Sequence, residues 1–191
     1  EALRAVEDGV GLATVLDIKF NVYASLGAFD KALEAAQECL DIARQAGLRR
    51  QEAWALHNLG VALFDGGDPE ASVAKVEAAL ATFDELGYEI GRGHLLERLG
   101  RIYEDLGQID HAVKLTEQAL ESSRKRGFEL GIAGASSQYG RLLALVGRRE
   151  EAEQYLRDAL RTFQAMRQSP GAAQVHIELA KLFLSDGDRN K

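Results

Sequence analysis

The 191-residue chain is poor in the residues that cross-link small proteins or bind metals, with one cysteine (Cys39) and four histidines. A single cysteine excludes an internal disulfide, and no Cys/His cluster has metal-ligand spacing. No apolar run approaches the roughly 18 residues that a membrane span needs. Basic residues are the minority, since 23 Lys and Arg stand against 30 Asp and Glu, which argues against general binding to nucleic-acid phosphates. We therefore predict a cytoplasmic protein with no cofactor, no metal, and no direct nucleic-acid or membrane partner.

Proline is also scarce, with two residues, whereas 46% of the chain is hydrophobic and 28% is charged. This composition is too apolar for intrinsic disorder and is sufficient for a packed core. The chain starts at Glu1 rather than at a methionine and carries no signal peptide, so we expect it to be a piece of a longer protein.

What the sequence does contain is an internal repeat of 40 residues. Its clearest mark is a column of glycines, and a second column is uniformly large. The glycines are Gly27, Gly67, Gly107, Gly147 and Gly187. The large residues are Tyr23, Leu63, Tyr103, Leu143 and Phe183. Agreement between independent columns indicates a repeat architecture rather than chance.

Each repeat predicts two helices. In the second repeat, apolar residues recur at three- and four-residue steps until Gly66 and Gly67, where glycine tolerates the left-handed conformation that ends a helix. Asp68 can then cap the next helix and Pro69 suits its first turn. No stretch alternates as strands do. The fold class that follows is all-α.

Small residues at fixed registers predict how the helices pack. Gly60, Gly100 and Gly140 lie inside helices, where glycine costs about 1 kcal/mol relative to alanine. A cost repeated at one register indicates that a neighbouring helix crosses too closely for a Cβ atom. The matching small column is Ala32, Ser72, Ala112 and Ala152. Such helix pairs bury their apolar faces only by stacking, which predicts an α-solenoid.

The order Asn58-Leu59-Gly60, Leu63, Gly67 and Ser72 resembles the tetratricopeptide repeat, and the next repeat matches it as well. The resemblance implies a right-handed superhelix of antiparallel helix pairs. Here the unit has 40 residues rather than 34 and lacks the terminal proline, a variant similar to those in bacterial regulatory and signalling proteins. We divide residues 1–191, one domain, into the end of a preceding helix (1–11), repeats 12–51, 52–91, 92–131 and 132–171, and a partial last repeat (172–191).

The residues that could suggest catalysis are interpreted as packing residues. Ser72 begins a Ser-x-x-Lys match, but it occupies a column of alanines and is interpreted as a small packing residue. Cys39 shares a column with three alanines and is interpreted in the same way. His176 shares its column with leucines, which predicts an inward or half-buried position. The chain is therefore predicted not to be an enzyme.

The resemblance implies that the first helix of each pair lines a concave, partner-binding groove. The residues predicted to bind a partner there are Asn21, Trp54, His57, Asn58, His94, Arg98, Arg101, Gln138, Arg141 and Lys181. Trp54 is open to two interpretations, a binding hot spot or a packing residue between repeats. Basic residues in this set suggest an acidic partner. The alternative is that they form ordinary surface pairs, such as Glu97 with Arg101.

Some tetratricopeptide domains bind a peptide's terminal carboxylate with two lysines, two asparagines and one arginine. Asn21, Asn58 and Arg98 match that clamp, whereas Asp17 and His94 replace its lysines. Most of the positive charge is therefore missing. A weaker expectation is that Asn21, Asn58 and Gln138 hydrogen-bond a peptide backbone.

The leading hypothesis is a non-catalytic protein- or peptide-binding module, the regulatory or sensor part of a larger bacterial signalling or transcription-regulatory protein. The alternative is a passive structural or oligomerisation scaffold that binds through its apolar ends or convex face. The ends, whose apolar residues lack cover, are expected either to continue into the longer protein or to pair with a second copy as a homodimer.

Overall fold

The computed structural model describes residues 2–187, with side chains described from residue 8 to residue 184. Over this range the chain forms helices and no strand, so the predicted all-α class is confirmed. Residue 1 and residues 188–191, at the ends of the predicted segments 1–11 and 172–191, lie outside the described residues. The helices are α1 (Ala2–Ser25), α2 (Phe29–Gln45), α3 (Arg49–Asp65), α4 (Pro69–Glu85), α5 (Glu89–Asp105), α6 (Ile109–Lys125), α7 (Glu129–Leu145), α8 (Arg149–Ala165) and α9 (Ser169–Gly187).

One turn geometry connects these helices. After α2, the Leu48 N–H donates to the Ala43 carbonyl at 2.8 Å and the Gly47 N–H donates to the Arg44 carbonyl at 3.2 Å. This pair of bonds closes the helix end and requires a left-handed residue at position 47. Glycine supplies it at Gly27, Gly67, Gly107 and Gly147, as predicted, and also at Gly47, Gly87 and Gly127, which the 40-residue column does not include. Each helix from α2 to α8 has 17 residues.

Position 167 belongs to the same turn column but holds arginine, with a φ of 55°. A side chain in this conformation costs about 1–2 kcal/mol. We expect Arg167→Gly to raise the free energy of unfolding by about 1 kcal/mol and Gly127→Ala to lower it by a similar amount. A Cβ added at Gly127 meets no atom within 4 Å, so the change tests the backbone alone. Urea unfolding measures both variants, and shifts of the same sign would contradict the explanation.

The first helix differs from the others in length. α1 has 24 residues and runs without a turn through the predicted boundary between residues 11 and 12. The sequence explains the continuity, because Glu7 occupies the position at which Gly47, Gly87 and Gly127 end the equivalent helices. Glutamate is a good helix former and does not favour the left-handed conformation. The division of the chain into repeats stays a prediction.

The chain divides into two compact units, of which the first is Glu1–Ile102. Within it α3 and α4 approach most closely at Gly60. A Cβ atom there would lie 2.5 Å from Val76 Cγ2 and 3.2 Å from the Ser72 carbonyl oxygen. Ser72 Oγ donates a hydrogen bond of 2.7 Å to the Gly60 carbonyl. The predicted packing of small residues against each other is confirmed here. Asp68 also caps α4 as predicted, since its carboxylate accepts from the Ala71 N–H at 3.0 Å.

The second unit is Tyr103–Lys191. Between α7 and α8, a Cβ on Gly140 would lie 3.0 Å from the Ala152 carbonyl and 2.9 Å from Leu156 Cγ, which repeats the close approach of the first unit. Its core includes buried residues from α6 to α9: Leu120, Ala133, Ala135, Tyr139, Leu143, Ala152, Leu156, Ala159, Phe163, Val175, Leu179 and Leu182. Burial of these side chains stabilises the stacked pairs.

Candidate partner-binding site

All ten predicted binding residues lie on the first helix of a pair. Seven of them belong to the first unit: Asn21 on α1, Trp54, His57 and Asn58 on α3, and His94, Arg98 and Arg101 on α5. Gln138, Arg141 and Lys181 belong to the second unit, on α7 and α9.

A pocket of about 640 Å³ lies in the first unit and is lined by α1, α2, α3, the turn after α4, and α5. It brings together five of the predicted residues, which are Asn21, Trp54, His57, Asn58 and His94. It is also lined by Asp17, Arg50, Gln51 and Tyr88, which the predicted site does not include. Arg50 and Gln51 precede the predicted start of the repeat at residue 52. Tyr88 lies in a turn, outside the helix columns from which the site was predicted.

A carboxylate held by two amides forms one wall of the pocket. Asn58 Nδ2 donates to Asp17 Oδ1 at 2.7 Å. Asn21 Nδ2 donates to the Asp17 backbone carbonyl at 2.8 Å and makes a long contact of 3.4 Å with Oδ2. Asp17 is half-buried and Asn58 is buried, so the carboxylate has a defined position. A hydrogen bond from a neutral amide to a charged carboxylate is stronger in a partly buried site than in water. The two asparagines therefore hold the Asp17 carboxylate in place before a partner binds.

Aromatic rings line another part of the pocket. The Trp54 ring centroid lies 5.8 Å from that of His57 and 5.7 Å from that of His94, and the two histidine rings are 5.1 Å apart. The Trp54 and Phe83 ring centroids are 5.1 Å apart, and Phe83 is fully buried. Trp54 is therefore a packing residue that also presents surface to the pocket, and edge-to-face contacts of this type stabilise the cluster.

The histidines of the pocket are neutral at neutral pH. Burial, followed by the nearby His94 and Arg98, lowers the pKa of His57 to about 3. Desolvation in the ring cluster also lowers the pKa of His94, and the neighbouring Glu97 acts in the opposite direction. His57 is only 6% exposed, and its Nδ1 atom has no hydrogen-bond partner. A buried polar atom without a partner costs about 1–3 kcal/mol, which a bound group can recover.

Arg98 and Arg101 carry the positive charge of the first unit's predicted surface. Burial lowers the pKa of Arg98, with repulsion from Arg101 in the same direction, and attraction from Asp65 and Glu97 opposes it. Within the described side chains no ion pair joins Arg101 to Glu97 or to Asp105. The surface-pair interpretation is therefore not supported at Arg101.

In the second unit the basic residues already have carboxylate partners. Arg141 makes two hydrogen bonds to the carboxylate of Glu104, one of them 2.6 Å long. Lys181 Nζ lies 3.1 Å from Glu178 Oε1, which also accepts from Gln174 Nε2 at 2.8 Å. Gln138 is 8% exposed, and its Nε2 atom has no partner. Pairing of Arg141 and Lys181 weakens the argument for an acidic partner at these positions.

The candidate catalytic groups have structural environments instead. Ser72 is fully buried and donates to the Gly60 carbonyl. Burial, with the nearby carboxylates of Asp17 and Glu38, raises the pKa of Cys39 to about 11, so its thiol stays protonated. His176 is exposed, so the prediction of an inward or half-buried position is wrong. The equivalent Leu16, Leu56 and Leu96 are buried, whereas the described residues include no helix after α9 to cover this position. No metal-binding group of three His, Cys, Asp or Glu occurs among the side chains from 8 to 184.

Helices of similar length, stacked in pairs around a preorganised pocket, define a helical-repeat protein of the interaction type. The profile of the tetratricopeptide repeat matches residues 21–85 and 51–125, more than half of the sequence, and the chain belongs to that family. The predicted family and its solenoid fold class are confirmed. Tetratricopeptide repeats are protein-interaction modules and are generally non-catalytic. Across the part of the chain that the structure describes, no helix has the length and apolar character to span a membrane.

Several solved structures share the fold. BtubC (BKLC) from P. vanneervenii is similar with a TM-score of 0.78 and 20% identity, over 98% of this chain and 82% of that one. The apo form of RapI is similar with a TM-score of 0.84 and 19% identity, over 94% of this chain and 65% of that one. A signal transduction ATPase with numerous domains and a tetratricopeptide repeat sensor, from Pyrococcus horikoshii, gives 0.77 and 14%, over 90% and 26%. No curated protein matches the chain.

Proposed function

We propose that the chain is a non-catalytic module that binds a protein or peptide segment through the pocket of its first unit. It serves as the regulatory or sensor part of a larger, cytoplasmic signalling or transcription-regulatory protein of bacterial type. The observation that carries the proposal is the pocket itself, which combines a half-buried Trp54 with the buried, unpartnered Nδ1 atom of His57. The similarity to a protein described as having a repeat sensor supports the regulatory part.

A random peptide library displayed on phage tests the proposal. We expect selected peptides to lose at least about tenfold in affinity for Trp54→Phe and for Asn21→Ala, because each variant changes the pocket and keeps the fold. Gln118→Ala is the matched control, since Gln118 is an exposed amide on α6 in the second unit, and it should bind as the original chain does. Peptides that bind all three variants equally would refute the proposal.

A second candidate is the scaffold, which an exposed apolar stripe on α1 favours. Val15, Ile18 and Val22 are 59%, 58% and 50% exposed and lie on one helix face. Such a stripe is typical of a helix that packs against another protein surface, including a second copy. In that case Ile18→Lys would abolish association in sedimentation experiments, whereas Asn21→Ala would leave it unchanged.

The acidic character of a partner rests on Arg98 and Arg101, because Arg141 and Lys181 are paired. If the partner is acidic, the peptides selected above should contain Asp or Glu residues whose contribution to affinity is lost when they bind the Arg101→Glu variant. Peptides that keep their affinity for this variant would show that recognition is limited to the pocket.

A further inference from the structure

Asp17 supplies the negative charge of the pocket, whose lining also includes the exposed Arg50. Its carboxylate is half-buried, and no lysine or arginine forms an ion pair with it among the side chains from 8 to 184. Asn58 and Asn21 fix the position of this carboxylate but leave its charge uncompensated. A negative charge that is partly withdrawn from water and lacks a cation attracts one, because the local dielectric screens less than bulk water does.

The pocket offers hydrogen-bond acceptors besides the carboxylate of Asp17. Asn21 Nδ2 directs both of its contacts to Asp17 and Asn58 Nδ2 directs one, so the side-chain oxygens of both residues, and one N–H of Asn58, are left for a ligand. The buried Nδ1 atom of His57 has no partner, and in one tautomer of the neutral ring it accepts a hydrogen bond. A complementary ligand therefore carries several donors.

The aromatic residues also suit a cation. Trp54 and Tyr88 line the pocket, and ring faces attract ammonium and guanidinium groups. The chain already shows this contact at the pocket, since the guanidinium carbon of the exposed Arg50 lies 5.9 Å from the centroid of the Tyr88 ring. His57 and His94 are uncharged at neutral pH and do not repel a cation.

We propose that the pocket of the first unit recognises a basic side chain of the partner segment, with Asp17 as its charge partner and the rings of Trp54 and Tyr88 as its walls. The proposal rests on the proposed function and names the chemistry of the bound group. A side chain that ends in a carboxylate is excluded from this position, because it would face Asp17. The cation is either a guanidinium or an ammonium group, and these two sources are separated by experiment.

The test uses the indole N–H signal of Trp54, the single tryptophan of the chain, in ¹H–¹⁵N NMR spectra. The probes are five-residue peptides with blocked ends, Gly-Gly-X-Gly-Gly, in which X is arginine, lysine, citrulline or glutamate. We expect saturable shifts with arginine or lysine and none with citrulline or glutamate. The stronger of the first two identifies the preferred cation. Equal shifts with citrulline, or binding of the glutamate peptide, would overturn the proposal.

Asp17→Asn keeps the shape of the side chain and removes its charge, so affinity for the basic peptide should fall at least about tenfold. Asp17→Glu retains the charge and should recover part of the loss. Asp41→Asn, at an exposed carboxylate on α2, is the matched control and should bind as before. Undiminished binding by Asp17→Asn would overturn the proposal. If library peptides depend on Trp54 but lack a basic residue, the proposed function stands and this inference fails. If none depends on Trp54, both fail.

Discussion

Gly60→Val is expected to destabilise the first unit by about 3 kcal/mol, because α4 crosses α3 with no room for a side chain. The added Cβ atom would lie 2.5 Å from Val76 Cγ2, and Val76 is fully buried and cannot move into solvent. The backbone carbonyl of Ser72, at 3.2 Å, blocks the other direction. The helices must therefore separate, which also weakens the hydrogen bond from Ser72 to Gly60. Urea unfolding measures the loss.

The matched control is Gly11→Val, the same substitution inside α1 at an exposed position where an added Cβ meets nothing within 4 Å. It should change the free energy of unfolding by no more than about 0.5 kcal/mol, since valine and glycine differ little in helix propensity. A second variant tests the contact itself. Val76→Ala should destabilise the original chain but stabilise Gly60→Val, because it removes the atom that clashes. Equal losses at Gly11 and Gly60 would show that helix propensity, not crossing distance, explains the glycine column.

Repetition explains why so much of the fold could be predicted from the sequence. A residue that returns every 40 positions experiences the same neighbours each time, so the requirement at Gly60 is restated at Gly140. The turns follow from a left-handed position that glycine fills without a clash. The exceptions are where one copy departs from its column. Glu7 lets α1 continue, and Arg167 accepts the strained conformation.

The site was less predictable because columns identify a face of a helix but not the contacts between faces. Five predicted residues meet in one pocket, yet the hydrogen bond that organises it joins Asp17 to Asn58, one repeat away. The same limit applies to charge. Sequence neighbours suggested pairs four residues apart, such as Glu97 with Arg101, whereas Arg141 pairs with Glu104 from the preceding repeat. Pairing across repeats depends on side-chain conformation, which periodicity does not specify.

The burial of His57 was likewise hidden, since its column also holds the polar residues Asp17, Glu97 and Ser137, and His57 was predicted to line the open binding groove. In the structure the rings of Trp54 and His94 pack against the ring of His57, and only 6% of His57 is exposed. That burial has a measurable consequence. Stability should fall by about 2 kcal/mol between about pH 7.5 and pH 5, because the unfolded chain binds a proton near pH 6.5 that burial excludes from the folded one, where the pKa of His57 is about 3.

The direction follows from linkage. Where the unfolded state binds more protons than the folded state, stability rises with pH. The stability that comes from burying the neutral His57 ring is therefore complete above pH 6.5 and is lost progressively as the pH falls towards 3. The lowered pKa of His94 acts in the same direction, and Arg98, the other cation beside His57, keeps its charge across this range. The hydrogen bond from Arg148 lowers the pKa of Glu151 from 4.5, so this carboxylate does not contribute in the window.

Urea unfolding at a series of pH values measures this dependence of stability on pH. His57→Gln cannot titrate, so its stability should vary with pH much less steeply than that of the original chain between pH 5 and pH 7.5, whatever its absolute value. His176→Gln, at an exposed histidine on α9, should keep the original slope. A slope that His57→Gln leaves intact would mean that water reaches the ring, and the pocket would then lack the dry wall on which both its acceptor character and its preference for a cation depend.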